Sequence, residues 1–127
     1  MSRAFHIGGE SAEHVAVEVV AREHPDQSDY WDGNWLTAWI DLASGPFRGK
    51  YRAALRAEEF VHFRDQLQTL FESGRAQTEP FFDSHNVLYF VLELDQSFLP
   101  DVLAELKGVI QEFPVVGSPH DKAAQSR

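Results

Sequence analysis

All three tryptophans of this chain lie in one stretch, residues 30–42, which constrains the fold more than any other segment. From Trp35 onward apolar and polar side chains alternate, and this is the pattern of a strand with one buried face. The predicted core face carries Leu36, Ala38, Ile40 and Leu42. Trp35 and Trp39 fall on the opposite face, where exposed aromatic rings indicate a partner, a dimer interface or a covering loop.

Turn-forming residues flank this strand on both sides. Asp32-Gly33-Asn34 precedes it and predicts a chain reversal, because these residue types tolerate positive φ and bond their own backbone. Residues 43–46 predict a four-residue loop, after which residues 47–55 return as a second strand. Pairing across such a loop sets Leu42 opposite Phe47 and Trp39 opposite Lys50, with a cation–π contact in the second pair.

The remaining segments complete an α+β pattern. Residues 5–7 and 14–22 predict two strands, the second with Ala21 on the same face as Val15, Val17 and Val19 and with Arg22 on the opposite face. Residues 58–73 and 98–113 have apolar positions at helical spacing, and the dense apolar run 87–94 predicts a central strand. We expect a mainly antiparallel sheet of four or five strands with two helices packed on one face, in the order β-β-β-β-α-β-α. Residues 1–114 form one domain in this interpretation, and residues 115–127 a flexible C-terminal tail.

The net charge, the lack of cysteine and the lack of a long apolar run limit the partners and the compartment that we expect for this chain. The formal net charge of −9 disfavours nucleic acid and anionic membranes as partners, and it steers the chain toward a basic partner. The chain has no cysteine, which fits a reducing compartment. No apolar run is long enough to span a membrane and no signal peptide is evident, so we expect a cytoplasmic protein.

The sequence contains no recognisable catalytic or metal-binding motif. The six histidines show no pair at ligand spacing, and there is no glycine-rich phosphate loop or nucleophile elbow. Asp95 is the most notable acid because it follows the apolar run and precedes a predicted helix, where capping is the simpler role. We therefore expect no enzyme activity, no metal and no cofactor.

A loop over residues 23–32 carries four acidic residues and leads into the tryptophan stretch. It is either a solvated connection or a negatively charged rim beside Trp31 and Trp35. If it is a rim, the candidate partner-binding residues are Asp26, Asp29, Trp31, Asp32, Trp35, Trp39, Asp41 and Tyr89. The alternating cations of residues 48–56 either cover tryptophan and balance Asp41 and Glu18, or they bind phosphate.

Several motifs together resemble one bacterial family. They are Tyr30-Trp31-Asp32-Gly33-Asn34-Trp35-Leu36, Asp95-Gln96-Ser97-Phe98-Leu99-Pro100 and Phe113-Pro114-Val115-Val116-Gly117. Their order and spacing are similar to the WapI-family immunity proteins. The segment between the first long helix and the last strand is shorter here than is usual in that family.

The resemblance implies a non-enzymatic, toxin-neutralising protein. The family label derives from a protein that protects cells from a contact-delivered toxin acting on tRNA. The implied partner is a basic toxin protein, which an acidic surface with aromatic anchors can meet. Two alternatives stay open at this point: a structural or regulatory homo-oligomer, such as a homodimer through the tryptophan face, and an enzyme with convergent carboxylates near Asp95.

Overall fold

The centre of the computed structural model, which describes residues 2–8, 13–73 and 99–120, is an open antiparallel sheet. Its strands are Arg3–Ile7 (β1), His14–Arg22 (β2), Trp35–Ser44 (β3) and Phe47–Arg56 (β4), hydrogen-bonded in that order. One short helix, Tyr30–Gly33 (α1), precedes β3, and two long helices follow β4, Ala57–Ser73 (α2) and Leu99–Glu112 (α3). The predicted α+β fold class is confirmed.

The core lies between one face of the sheet and the two long helices. The sheet contributes Phe5, Val17, Val19, Leu36, Ala38, Ala53 and Leu55, and the helices contribute Phe60, Leu67, Val102, Leu106 and Val109. The Phe5 ring meets the Phe60 ring edge-on, with centroids 6.1 Å apart. Each fully buried aliphatic or aromatic side chain contributes about 1.5–3 kcal/mol of burial free energy. We call the opposite side of the sheet, which carries Trp39, the outer face.

The predicted alternation of side chains between the two sheet faces holds along β2 up to a β-bulge between Val19 and Ala21. The extra residue, Val20, reverses the facing of the side chains that follow it. Ala21 therefore pairs with Thr37 on the outer face, and Arg22 pairs with Leu36 on the helix side. The sequence prediction had these two residues the other way round, because a strict period of two cannot detect an inserted residue.

The hairpin between β3 and β4 is tighter than predicted. Ser44 pairs with Phe47, so Gly45 and Pro46 alone form the turn, and the four-residue loop was wrong. Gly45 has φ +60°, which matches the glycine position of a type II′ turn. The register moves by two residues, which keeps the faces but changes the neighbours. Trp39 lies opposite Arg52 rather than Lys50, although the Lys50 ammonium still lies 5.8 Å from the Trp39 ring centroid.

The predicted turn at residues 32–34 is also corrected. Residues 30–33 form a helical turn, and neither Asp32, Gly33 nor Asn34 has positive φ. Asp29 caps this turn: its Oδ2 accepts hydrogen bonds from the backbone N–H groups of Trp31 (3.2 Å) and Asp32 (3.0 Å). Capping by Asp29 therefore stabilises a helical turn at the place where the Asp-Gly-Asn composition suggested a chain reversal.

Both long helices lie close to their predicted ranges. Pro100 is in the first turn of α3, where its missing N–H costs nothing, and Pro114 follows the helix end. Glu105 of α3 accepts a hydrogen bond from the backbone N–H of His6 at 2.9 Å, and its other oxygen lies 3.0 Å from the His6 ring. The helix thereby binds a backbone donor of β1, the first strand of the sheet that the structure describes.

Several predictions fall outside the described residues. They are the strand 87–94, the acid Asp95, the partner-binding candidate Tyr89 and most of the tail from residue 121. Within the described ranges no helix is long and apolar enough to cross a membrane.

The hairpin turn yields a prediction that isolates backbone strain. Gly45→Ala places a methyl group in open space but at φ +60°, so we expect the free energy of unfolding to fall by about 1–2 kcal/mol. Gly108→Ala is the matched control, because its added methyl also meets nothing within 4 Å and its backbone is helical. That variant should gain about 0.5–1 kcal/mol. Urea unfolding of both proteins checks this, and equal signs would contradict the turn assignment.

Candidate functional site

The loop that carries the acidic and aromatic candidates is fastened to the end of the sheet by Arg56. This last residue of β4 donates from its guanidinium to the backbone carbonyls of Tyr30 (2.7 Å) and Trp31 (2.9 Å). A third bond goes to the carboxylate of Glu58. The same guanidinium carbon lies 5.2 Å from the Tyr30 ring centroid and 5.0 Å from that of Trp35. A planar cation with five donors suits this combined role in a way that lysine does not.

Asn34 ties the same loop to the segment after α3. Its side chain is fully buried, and its Nδ2 donates to the carbonyls of Tyr30 (3.0 Å) and Val116 (2.9 Å). Its Oδ1 accepts from the Val116 N–H at 2.9 Å. The Asn34 carbonyl accepts the N–H of Ala57, the first residue of α2. One buried amide therefore connects α1, α2 and the C-terminal segment.

Arg22, which the bulge turns toward the helices, binds the same loop and the same C-terminal segment. It donates to the carbonyls of Gly33 (2.8 Å) and Pro114 (2.5 Å). Burial lowers the pKa of Arg22 from its ordinary value. Gly33 must lack a side chain here, since an added Cβ would lie 2.8 Å from both the Gln27 carbonyl oxygen and a Val116 methyl. We refer to Arg22, Asn34 and Arg56 as the buried polar joint.

The aromatic ring of Tyr30 packs against Arg56 of the joint. Its hydroxyl donates to Glu58 Oε2 at 3.1 Å, and that oxygen also accepts from Arg56. Burial, followed by the charge of Glu58, raises the pKa of Tyr30 above its ordinary value. The phenol therefore stays a neutral hydrogen-bond donor in the folded protein.

The side of the loop away from the joint is open to solvent. Glu23 and Asp26 are exposed, Asp32 is half-buried, and the Trp31 ring is 40% exposed. The Trp31 ring stands edge-on to the Tyr30 ring, with centroids 5.1 Å apart, so its position is defined. We call these four residues, Glu23, Asp26, Trp31 and Asp32, the loop surface. It combines three carboxylates with one oriented aromatic ring.

The outer face of the sheet is a second exposed surface. Trp39 is 40% exposed there, and Asp41 lies beside it with an oxygen 3.7 Å from His14 Nε2. A shallow hollow of about 380 Å³ opens beside the β2 bulge. Its lining comprises Val20, Ala21, Arg22, Glu23, His24, Thr37 and Arg52. The hollow therefore connects the outer face with the first residue of the loop surface.

The described residues contain no group of three or more histidine, aspartate or glutamate side chains arranged to hold a metal ion. The two surfaces are instead built from carboxylates, cations and tryptophan. This is the chemistry of protein recognition, in which aromatic anchors are ringed by charged groups.

Comparison with protein families agrees with the resemblance seen in the sequence. The family described as "Immunity protein WapI-like family" matches residues 6–86, which is more than half of the chain. The chain belongs to the WapI-like immunity protein family. No match was found among curated proteins or solved structures.

The family match covers most of the described sheet, the capped loop and α2. Of the three motifs that carried the resemblance, the tryptophan motif lies inside the match, whereas residues 95–100 and 113–117 lie beyond it. In the structure of this WapI-like family member the tryptophan motif has Gly33, Asn34 and Leu36 buried and Trp31 exposed. Asn34 and Gly33 contact Val116, and Trp35 lies under the Arg56 guanidinium.

The structure separates the predicted site residues into three groups. Asp26, Trp31 and Asp32 lie on the loop surface, and Trp39 and Asp41 lie on the outer face. Asp29 and Trp35 hold the loop in place, through the helix cap and the Arg56 contact. Tyr89 is outside the described residues. The sequence did not reveal that Arg22, Asn34 and Arg56 bind carbonyls of the same loop, because only the bulge and the fold bring them to it.

Removal of the Asn34 amide tests the joint. Asn34→Ala leaves the N–H and the carbonyl of Val116 without this partner, whereas the Tyr30 carbonyl keeps its bond from Arg56. Each backbone group left unpaired away from water costs about 1–3 kcal/mol, and the vacated side-chain volume adds to the loss. We expect the free energy of unfolding to fall by about 3 kcal/mol or more. Gln68→Ala removes an exposed amide from α2 and serves as control, with an expected change below about 0.5 kcal/mol. A loss below about 1 kcal/mol for Asn34→Ala would contradict the joint.

The raised pKa of Tyr30 predicts a pH dependence of stability. The unfolded phenol ionises near pH 10, whereas the folded phenol keeps its proton to higher pH. The stabilisation is therefore complete below about pH 10 and is lost as the pH rises further. Tyr30→Phe lacks this loss, so the difference in unfolding free energy between wild type and variant should be constant below about pH 10 and shrink as the pH rises above it. Urea unfolding across that range checks it, and parallel pH profiles would refute it.

Proposed function

We propose that this chain is a cytoplasmic immunity protein that neutralises a bacterial toxin by binding it, without catalysing a reaction. The observation that carries the proposal is membership of the WapI-like immunity protein family. The absence of cysteine fits a reducing compartment. The accessible chemistry fits binding, because within residues 2–8, 13–73 and 99–120 the exposed acids and tryptophans lie on open surfaces.

The loop surface is the part of this chain that we assign to the toxin. Its carboxylates, on a chain with net charge −9, attract a basic protein from a distance and raise the association rate. Trp31 offers a large, oriented ring that can be fully buried on contact, which is the usual source of affinity in an interface. The expected partner is therefore a toxin domain with a cationic surface.

The buried polar joint supports this role by holding the loop in one arrangement before binding. The backbone carbonyls of Tyr30, Trp31 and Gly33 are each bound by a buried or half-buried side chain. A loop that is already ordered loses less conformational entropy when it binds. Asp29 and Trp35 act in this scheme as positioning residues, through the cap and the stacked guanidinium.

The first experiment is capture of a partner from the source bacterium with the tagged chain, at low and moderate salt. A single basic toxin-type protein, identified by mass spectrometry and then purified, is the expected result. Its enzymatic activity should fall in proportion to the amount of complex formed. A captured protein whose activity is unaffected by binding would contradict the immunity role.

The kinetics of that complex test the loop surface. Glu23→Gln with Asp26→Asn removes two exposed charges without touching the joint, so the association rate constant should fall several-fold at low salt and little at high salt. Glu72→Gln with Asp101→Asn removes two charges on the exposed sides of α2 and α3 and is the matched control. Surface plasmon resonance measures both. Equal association rates for the two double variants would exclude steering by the loop.

A further inference from the structure

One row across the outer face has opposite charges on either side of a tryptophan. Glu18 of β2 pairs in register with Trp39 of β3, and Trp39 pairs with Arg52 of β4. These three positions share a face because partners in antiparallel register do so. The row therefore reads negative, aromatic, positive across three neighbouring strands.

The two charges of this row cannot readily reach each other within one chain. Neighbouring strands are about 4.8 Å apart, so the backbones of Glu18 and Arg52 are separated by about 10 Å with the exposed Trp39 ring between them. Among the residues that the structure describes, neither side chain forms an ion pair. Asp41, the other acid on this face, lies beside His14 instead.

A second copy of the chain supplies the missing partners. Rotation by 180° about an axis along β3, parallel to the face, brings two outer faces together and exchanges the β2 side with the β4 side. Trp39 then meets the same residue of the second copy, and Arg52 lies opposite the second copy's Glu18. The two-fold symmetry produces this ion pair twice. Packed sheets lie about 10 Å apart, a distance that arginine and glutamate side chains can bridge together.

We propose that the outer face is a self-complementary dimer interface, centred on Trp39 and oriented by two symmetric Glu18–Arg52 ion pairs. The four strands span about 33 Å by about 19 Å at most, but β1 has only five residues and the loop covers the end at Trp35 and Arg56, so the face offers less than about 600 Å² per copy. This is below the roughly 800 Å² per partner of stable complexes, so the dimer forms in the micromolar range. Lys50, another exposed cation near the centre of the face, lies against the Trp39 ring, and its aliphatic stem adds apolar surface beside that ring.

This interface adjoins the loop surface where Arg52 and Glu23 line the same hollow, but it is centred on a different tryptophan and goes beyond the proposed toxin binding. Trp31, Asp26 and Glu23 lie at the end of the sheet where β3 begins, not in the Glu18–Trp39–Arg52 row. A dimer would carry two loop surfaces, so one assembly could hold two toxin molecules. Loss of dimerisation and loss of toxin binding are therefore measured independently on the same variants.

Charge exchange tests the interface. At pH 8, sedimentation velocity should show wild type shifting from monomer to dimer between about 1 and 100 µM. Glu18→Arg and Arg52→Glu should each raise the dissociation constant of the dimer at least about tenfold, because each sets like charges opposite each other twice. The double variant, E18R with R52E, should restore dimerisation to within about threefold of wild type. Glu72→Arg and Lys107→Glu, on exposed helix positions, are the matched controls and should leave it unchanged.

The two equally exposed tryptophans provide a second comparison. Trp39→Ala should stay monomeric up to about 100 µM, whereas Trp31→Ala should dimerise over the same concentration range as wild type. Circular dichroism confirms that each variant is folded. A monomeric wild type at 100 µM, or a double charge variant no better than the single ones, overturns the proposal and leaves the outer face to a different partner.

Discussion

The hydrogen bonds of one buried amide hold this structure together at the point where its parts converge. Asn34 binds backbone groups of α1 and of the segment after α3, while its own carbonyl accepts the first N–H of α2. Arg56 shares the Tyr30 carbonyl with Asn34 and also binds that of Trp31, and Arg22 binds that of Gly33. Because buried backbone groups without partners are costly, these contacts act as a unit, and the loop surface depends on them for its shape. They also anchor the start of the C-terminal segment that the sequence suggested was a tail.

Those parts of the fold that depend on periodicity were predictable from sequence. The alternation in β3 identified Leu36, Ala38 and Leu42 as buried and Ile40 as packed against the core, although it did not show that Thr37 is also buried. The helical spacing located α2 and α3, because burial imposes a period on side chains. Register was not predictable, since Gly45-Pro46 can belong to a turn of two residues or of four. The bulge at Val20 changed the facing of Arg22, and no local signal marks an inserted residue. The joint was not predicted because its members come from distant segments of the chain, and only the fold brings them to the same loop.

Two surfaces of different character result from this arrangement. The loop surface is acidic with one aromatic anchor, which suits a basic toxin and continues the role that the family description implies. The outer face has both signs of charge in register around Trp39, which suits a copy of itself. The three tryptophans of residues 30–42 thus lie in different places: Trp35 contacts Arg56 of the joint, Trp31 is exposed on the loop surface, and Trp39 lies at the proposed dimer axis.

The most direct test of the immunity role is growth of cells that produce the toxin captured by this chain. Co-production of the wild-type chain should restore growth, and the Glu23→Gln, Asp26→Asn chain should protect less well when its level is limiting. The charge-exchange variants of the outer face should protect as wild type does if dimerisation is a separate property. Cell death despite a stable, stoichiometric complex between chain and toxin would contradict neutralisation by binding.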